Sequence, residues 1–191
     1  MKIILASQSP RRKELLTNMG LEFETIASSV DEDMTQKVNF EKLSEILSKQ
    51  KAQDIFSKIQ GDRLVIGSDC MVYFRHHLLG KPKSKQDAFN TLTMLSGKWH
   101  KVVSGLCVLV QDGNKKREYI CHDVTKVKFK KLSKQDIERY LTFDEYKDKA
   151  GSYAIQGMAG MFVEKVVGNL STVIGIPTHK LFDILKQENI L

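Results

Sequence analysis

A short apolar strand, Lys2 to Ala6, runs directly into Ser7-Gln8-Ser9-Pro10 and a helix over Pro10 to Met19 that Gly20 ends. A strand that gives way to a helix within a few residues delivers its loop to the carboxyl end of a sheet, where α/β proteins bind ligands. Ser9 is a good N-cap and Pro10 a good first helical residue. The next three residues, Arg11, Arg12 and Lys13, are all cationic. A helix N-terminus already carries partial positive charge, so each cation there costs a few tenths of a kcal/mol. A bound anion would remove the conflict. Free backbone N–H groups, the hydroxyls of Ser7 and Ser9 and the arginine forks would then converge on a phosphate. A capped surface helix with incidental arginines is the plain alternative, and three adjacent cations weigh against it. The stretch lacks the G-x-x-x-x-G-K of a P-loop.

The rest of the pattern fits the same class. Leu21 to Ile26 alternates as a strand. Phe40 to Ile59 has helical period through Phe40, Leu43, Ile46, Leu47, Ala52, Ile55, Phe56 and Ile59. Leu64 to Gly67 reads as a buried strand, which Met71 to Phe74 continues or pairs with. Lys85 to Leu95 is a helix opened by a Ser84/Asp87 capping box, and Ser133 to Leu141 is another opened by Ser-x-x-Asp. Val102 to Val110 and Glu118 to Phe129 flank Asp112-Gly113-Asn114, a hairpin signal. A loop over Asp144 to Gly151 leads to short strands near Tyr153 and over Met161 to Val167, and a helix from Pro177 to Gln187 follows. Strands and helices alternate early and an antiparallel hairpin sits late, which gives an α/β fold with a mixed sheet. The length of 191 residues fits one domain, residues 1–191, that can be divided into two lobes.

Composition narrows the function classes. No segment approaches the ~20 apolar residues of a membrane span, and the start is too short for a signal-peptide core. Cys70, Cys107 and Cys121 are odd in number and lack C-x-x-C spacing, so a reducing, cytoplasmic compartment is expected. The five histidines show no metal-ligand spacing for zinc. A net charge of +7 suits an anionic partner, polymer or nucleotide.

Asp69 closes the apolar run Leu64-Val65-Ile66-Gly67-Ser68 and is expected at a strand's end on the sheet rim. There a carboxylate can hold Mg²⁺ or take a proton from water. Asp31-Glu32-Asp33 follows the second strand and can lie at the same rim. Lys81 sits in the tight Gly80-Lys81-Pro82 loop, and Lys51 on the long helix beside Ala52. Taken singly, each of these is as readily a turn or surface residue. Asp148 to Gly160 carries three glycines, which let a backbone approach a ligand closely. Within it, Gln156 offers a donor and an acceptor side by side, matching the N3–H and O4 of uracil or thymine.

Together these segments resemble the Maf family. The resemblance lies in Leu5-Ala6-Ser7-Gln8-Ser9-Pro10-Arg11-Arg12, Gly67-Ser68-Asp69, Gly80-Lys81-Pro82, Leu95-Ser96-Gly97, Asp148 to Gly160 and Val173-Ile174-Gly175-Ile176-Pro177, in order. It implies a mixed, twisted sheet with flanking helices and a deep cleft between two lobes, the Maf/ITPase arrangement. It also implies hydrolysis of a nucleoside triphosphate to the monophosphate and pyrophosphate with a divalent metal, Mg or Mn. On the matching positions, Asp69 is the proton acceptor, with Lys51 and Lys81 beside it. Ser7, Ser9, Arg11 and Arg12 bind substrate, and Glu32 joins Asp69 at the metal. Three positions separate subfamilies. The dTTP/UTP type carries Arg, Thr and Gln, and the type acting on N7-methylated GTP carries Trp, Gln and Glu. This chain has Arg11, Cys70 and Gln156, so two positions match the pyrimidine type and Cys70 departs from both.

Two other classes stay in view: a nucleic-acid-binding regulator of cell division, and a nucleotide sensor without catalysis. The first is disfavoured because no helix-turn-helix, RRM or KH pattern is present and aromatics are not interleaved with the basic residues. The second keeps the anion site and has no need of Asp69. The expected partner is a nucleoside triphosphate, with no membrane, and a homodimer stays open.

Overall fold

A computed structural model describes residues 1–34 and 36–191. Among them a seven-stranded mixed sheet runs in the order β2-β1-β3-β5-β6-β7, with β4 paired to β3. The strands are β1 (Lys2–Leu5), β2 (Glu24–Thr25), β3 (Arg63–Phe74), β4 (His77–Leu79), β5 (Trp99–Asp112), β6 (Lys115–Phe129) and β7 (Val163–Val167). The helices are α1 (Pro10–Asn18), α2 (Phe40–Lys58), α3 (Lys85–Leu95), α4 (Lys134–Tyr140), α5 (Leu170–Ile174) and α6 (Thr178–Gln187). β1 pairs in parallel with β2 and β3, while β3–β4 and β6–β7 are antiparallel. The chain forms two compact units. One holds Met1–Cys70, Ser104–Asp123 and Gly175–Leu191, the other Met71–Val103 and Val124–Ile174.

In the first unit, Ile4, Val65, Cys107 and Leu109 from the strands, with Ala6 just past β1, pack on Ala52 and Ile55 of α2. Asn39 caps α2 by accepting the Lys42 N–H at 2.8 Å, satisfying one orphan donor. The buried stripe of α2 is Leu43, Ser44, Leu47, Ser48, Ala52 and Ile55. Two serines thus lie deeper than Phe40 and Ile46, which the sequence periodicity put on that face. At the far end Arg117 donates from Nε and Nη2 to Glu188 at 2.7 and 2.6 Å, and Tyr119 adds its hydroxyl at 2.6 Å. These bonds fasten β6 to the chain just past α6.

In the second unit, the rings of His100, Phe129 and Tyr153 meet edge to face with centroids 4.9 to 5.4 Å apart. Phe162 stands edge-on to both Phe129 and Tyr140. Ser133 and Asp136 form the full capping box of α4. Ser84 accepts the Asp87 N–H, but Asp87 turns its carboxylate to the Lys83 N–H, so α3 carries half a box.

Two sequence expectations change and one open alternative closes. The strand expected over Leu21–Ile26 shrinks to Glu24–Thr25, the two residues opposite Ile4 and Leu5 of the short β1. Of the two arrangements open to Leu64–Gly67 and Met71–Phe74, the continuous one is found, and β3 is one strand of twelve residues. The strand expected near Tyr153 is a 3-10 turn over Ala150–Ser152 followed by an extended residue. Gly151 takes φ +69° there, which no strand accommodates.

Candidate active site

The loop between β1 and α1 is built as the sequence implied at its backbone and differently at its side chains. Ser9 is the N-cap and Pro10 the first helical residue, yet the Ser9 hydroxyl makes no cap hydrogen bond. Instead the Ser9 N–H donates to Ser7 Oγ at 3.1 Å. The first turn of α1 contains no acidic residue to balance Arg11 and Arg12. Arg12 reaches back across the loop. Its Nη1 donates to Ser7 Oγ at 3.3 Å, and its Nε donates to the carbonyl oxygen of Gly175 at 3.2 Å.

That carbonyl is a hub. Ser68 Oγ lies 2.7 Å from the carbonyl oxygens of both Gly105 and Gly175, and its single proton serves one at a time. Gly175 takes φ +130°, a conformation that L side chains rarely adopt. The start of α1, the middle of β3 and the turn before α6 are therefore held by one backbone oxygen. A backbone acceptor leaves no mark in residue identity, so nothing in the sequence pointed to it.

Asp69 is not at a strand's end. β1 pairs with Arg63–Ile66 and β4 with Val72–Phe74, and Asp69 stands between these two pairings. On its other side β3 pairs with β5, and β3 runs unbroken from Arg63 to Phe74. The rim on which Asp69 sits is thus the end of β1. Its carboxylate is nearly buried, 6% exposed, and its Oδ1 accepts from Lys51 Nζ at 2.5 Å. The same ammonium meets Glu32 Oε1 at 2.6 Å. Lys51 is 13% exposed and Glu32 46%, so the cation is sheltered with one carboxylate inside and the other at the surface. Glu32 and Asp69 are brought together through Lys51, whose ammonium contacts both carboxylates.

Cys70 follows on the same strand and is half-buried. Burial pushes its thiol above the ordinary range, against the pull of a hydrogen bond with Ser104 and the charge of Arg12; Asp69 adds to the rise and Arg11 opposes it. At neutral pH the group is a thiol, a weak hydrogen-bonding partner. All three cysteines are free.

Lys81 and Gln156 belong to the second unit, where both are exposed. The Gly151 N–H donates to the Gly80 carbonyl at 3.2 Å, tying the Lys81 turn to the segment that carries Gln156. Glu145, which sequence reading passed over, accepts from the N–H groups of Met158 and Ala159 at 3.0 and 3.3 Å. It thereby fixes the turn just after Gln156. Its only sequence signal was a carboxylate next to a glycine-rich run.

The cationic start of α1 can hold a phosphate chain, and a carboxylate steadied by Lys51 can take a proton from water. Among the described residues no group of three or more His, Cys, Asp and Glu side chains forms a metal cage. No helix among them is long and apolar enough to cross a membrane.

The family described as Maf-like protein matches residues 2–188. A dTTP/UTP pyrophosphatase of Alkaliphilus metalliredigens is 45% identical over 186 residues, covering 97% of this chain and 95% of that one. A dTTP/UTP pyrophosphatase of Aquifex aeolicus is 41% identical over 191 residues, covering 100% of this chain and 97% of that one. A solved nucleoside-triphosphatase (dITP/XTP pyrophosphatase) from Mycobacterium abscessus is more distant, 15% identical with a TM-score of 0.41 over 68% of this chain and 74% of that one. The match along almost the whole length, with full-length relatives above 40% identity, places the chain in the Maf-like family.

Proposed function

We propose that residues 1–191 act as one enzyme that hydrolyses nucleoside triphosphates to the monophosphate and pyrophosphate, with dTTP and UTP as preferred substrates. The observation that carries this reading is the Glu32–Lys51–Asp69 chain, in which a sheltered ammonium bridges two carboxylates. The family membership and the names of the two relatives support the reaction and the pyrimidine preference. The free cysteines fit a reducing cytoplasm.

The reaction needs a water oxygen to bond to the α-phosphorus as the bond from that phosphorus to the bridging oxygen breaks. Asp69 takes the proton of the attacking water, and the released pyrophosphate carries off the bridging oxygen. Lys51 and Lys81 balance the charge that develops on the phosphates. Arg11, Arg12, Ser7 and Ser9 hold the triphosphate at the start of α1, and Gln156 and Cys70 read the base.

The donor set suits a divalent metal. Glu32 and Asp69 bring hard carboxylate oxygens to one place, where the Lys51 ammonium, within 2.6 Å of both, stands at the point a divalent ion would take. Two carboxylates plus substrate phosphates is the usual Mg²⁺ arrangement, so Glu32 and Asp69 would hold Mg or Mn. Such an ion would supply charge neutralisation along the phosphate chain.

The test is a pyrophosphate-release screen over dTTP, UTP, CTP, GTP, ATP and N7-methyl-GTP, with Mg²⁺ and Mn²⁺ in separate arms. Release from dTTP and UTP above the purines is expected. No release from any triphosphate, together with steeply salt-dependent duplex binding, would transfer the protein to the regulator class.

A further inference from the structure

We propose that Gly67 and Gly105 are positioning residues: they set how closely α2 lies on the sheet, and thereby place the Lys51 ammonium on Asp69. The inference rests on the reading of Lys51 and Asp69 as working groups.

Side chains alternate along a strand, so Gly67 and Asp69, two apart on β3, share a face. That face is turned to α2. A Cβ on Gly67 would fall on the carbonyl oxygen of Ser48, and lie 2.8 Å from the Ala52 nitrogen and 2.9 Å from its Cβ. A Cβ on Gly105 of β5 would fall on the carbonyl of Ser44 and lie 2.8 Å from the Glu45 nitrogen. At both strands the nearest atoms include helix backbone, which cannot rotate aside as a flexible side chain would. A glycine in a strand interior commonly marks such a close approach by another backbone.

The helix is shaped for the same contact. Ser44, Ser48 and Ala52 recur every four residues, so one stripe of α2 is made of small side chains. The two serine hydroxyls fold back onto the carbonyls of Glu41 and Glu45 at 2.7 and 2.8 Å. At these three positions no side chain larger than a hydroxymethyl stands between helix and sheet. Ala52, the residue against Gly67, is the immediate neighbour of Lys51.

A lysine arm is flexible but limited in reach, so the height of α2 bounds what its ammonium can touch. Lys51 Nζ stands 2.5 Å from Asp69 Oδ1. With the arm's rotamer unchanged, raising the helix by ~1 Å, less than the thickness of one methyl group, takes that contact to the outer limit of a hydrogen bond. Misplacement by ~1 Å of a catalytic group can cost on the order of 10²-fold in rate.

The experiment compares Gly67→Ala and Gly105→Ala with Ile55→Val, which loosens the buried face of α2 without lifting the helix. Each is assayed for kcat and KM on a triphosphate the wild type hydrolyses, with melting temperature measured in parallel. Gly67→Ala is expected to lose about 10²-fold in kcat with KM within about threefold. Gly105→Ala acts at Ser44, about two turns from Lys51, and is expected to lose about tenfold. Ile55→Val is expected to keep kcat within about twofold even where its melting temperature falls as far. A second readout needs no activity: Lys51 in folded Gly67→Ala or Gly105→Ala should react faster with an acylating reagent, scored by peptide mass spectrometry. Wild-type kcat in a folded glycine variant, unchanged Lys51 labelling, or a kcat loss matched by Ile55→Val at equal melting temperature would each overturn the inference. A wild type that releases no pyrophosphate would instead sink the functional reading, while the labelling arm still judges the geometry.

Discussion

Lys51 Nζ on α2 and Asp69 Oδ1 in the middle of β3 are 2.5 Å apart, with Asp69 nearly buried and Glu32 on the ammonium's outer side. The pair is eighteen residues apart in sequence and belongs to two elements that meet backbone to backbone. An ammonium so placed holds the carboxylate oriented in a sheltered position. This is the arrangement a proton acceptor needs when its other oxygen must address water.

Asp69→Asn tests that role. The amide keeps the shape and one acceptor oxygen for Lys51, and removes the negative charge and the affinity for a proton. Turnover should fall by about 10²- to 10⁴-fold, the usual worth of a general base. Circular dichroism should stay that of the wild type. A variant that releases pyrophosphate at the wild-type rate would remove Asp69 from its role.

Arg12 combines two functions that one substitution can separate. Its Nε is engaged by the Gly175 carbonyl and its Nη1 by Ser7. Lysine has a single nitrogen and cannot reproduce both bonds in the guanidinium's fixed geometry. Arg12→Lys should therefore raise KM and also lower the melting temperature, since a hydrogen bond from a charged donor contributes about 1.5–3 kcal/mol. For a chain of this size that is roughly 3–12 °C. Thermal unfolding without ligand isolates the structural part. An unchanged melting temperature would mean that the Gly175 contact does not hold the loop.

Gln156 should decide between bases. Gln156→Glu replaces the amide donor with an acceptor, so the O4 of uracil or thymine meets a like charge. With one neutral hydrogen bond lost at about 0.5–1.5 kcal/mol and the like charges adding to it, kcat/KM for dTTP and UTP should drop by about 10-fold. Purine triphosphates should change less. An equal loss on every triphosphate would show that Gln156 supports the turn held by Glu145 rather than the base.

How much of this was legible in the sequence follows from which interactions residue identity encodes. The start of α1 could be read because an N-cap serine, a first-turn proline and misplaced cations are local rules. The β5–β6 hairpin could be read because the Gly113-Asn114 turn is local too. Asp69 was found as a residue and misplaced as geometry. Gly67 was read as ending a strand, when it is a gap made for α2. That meaning exists only once helix and strand are stacked. For the same reason Ser44 and Ser48, polar by composition, were not expected in the buried stripe. The Gly175 carbonyl and the Glu145 anchor are contacts to backbone groups, which every residue carries alike.

His100 supplies a prediction that concerns stability alone. It is 2% exposed, and its Nε2 lies 2.7 Å from the Tyr153 hydroxyl. Its Nδ1 is buried without a hydrogen-bond partner. Burial pushes its pKa down from 6.5 to about 4. The folded value is depressed, so the unfolded chain binds this proton more tightly. Stability tied to the neutral ring is therefore complete above pH ~6.5 and is lost as pH falls towards pH ~4. The shift corresponds to about 3 kcal/mol over that window, or roughly 6–12 °C in melting temperature. His100→Phe removes the titrating ring and keeps an aromatic edge against Phe129. It removes the ring nitrogen that bonds the Tyr153 hydroxyl, so it should be less stable than the wild type at pH 7 by about 0.5–1.5 kcal/mol. Between pH 6.5 and pH 4 its melting temperature should fall less steeply than that of the wild type. Parallel slopes for the two proteins would show that His100 does not take up a proton on unfolding in that range.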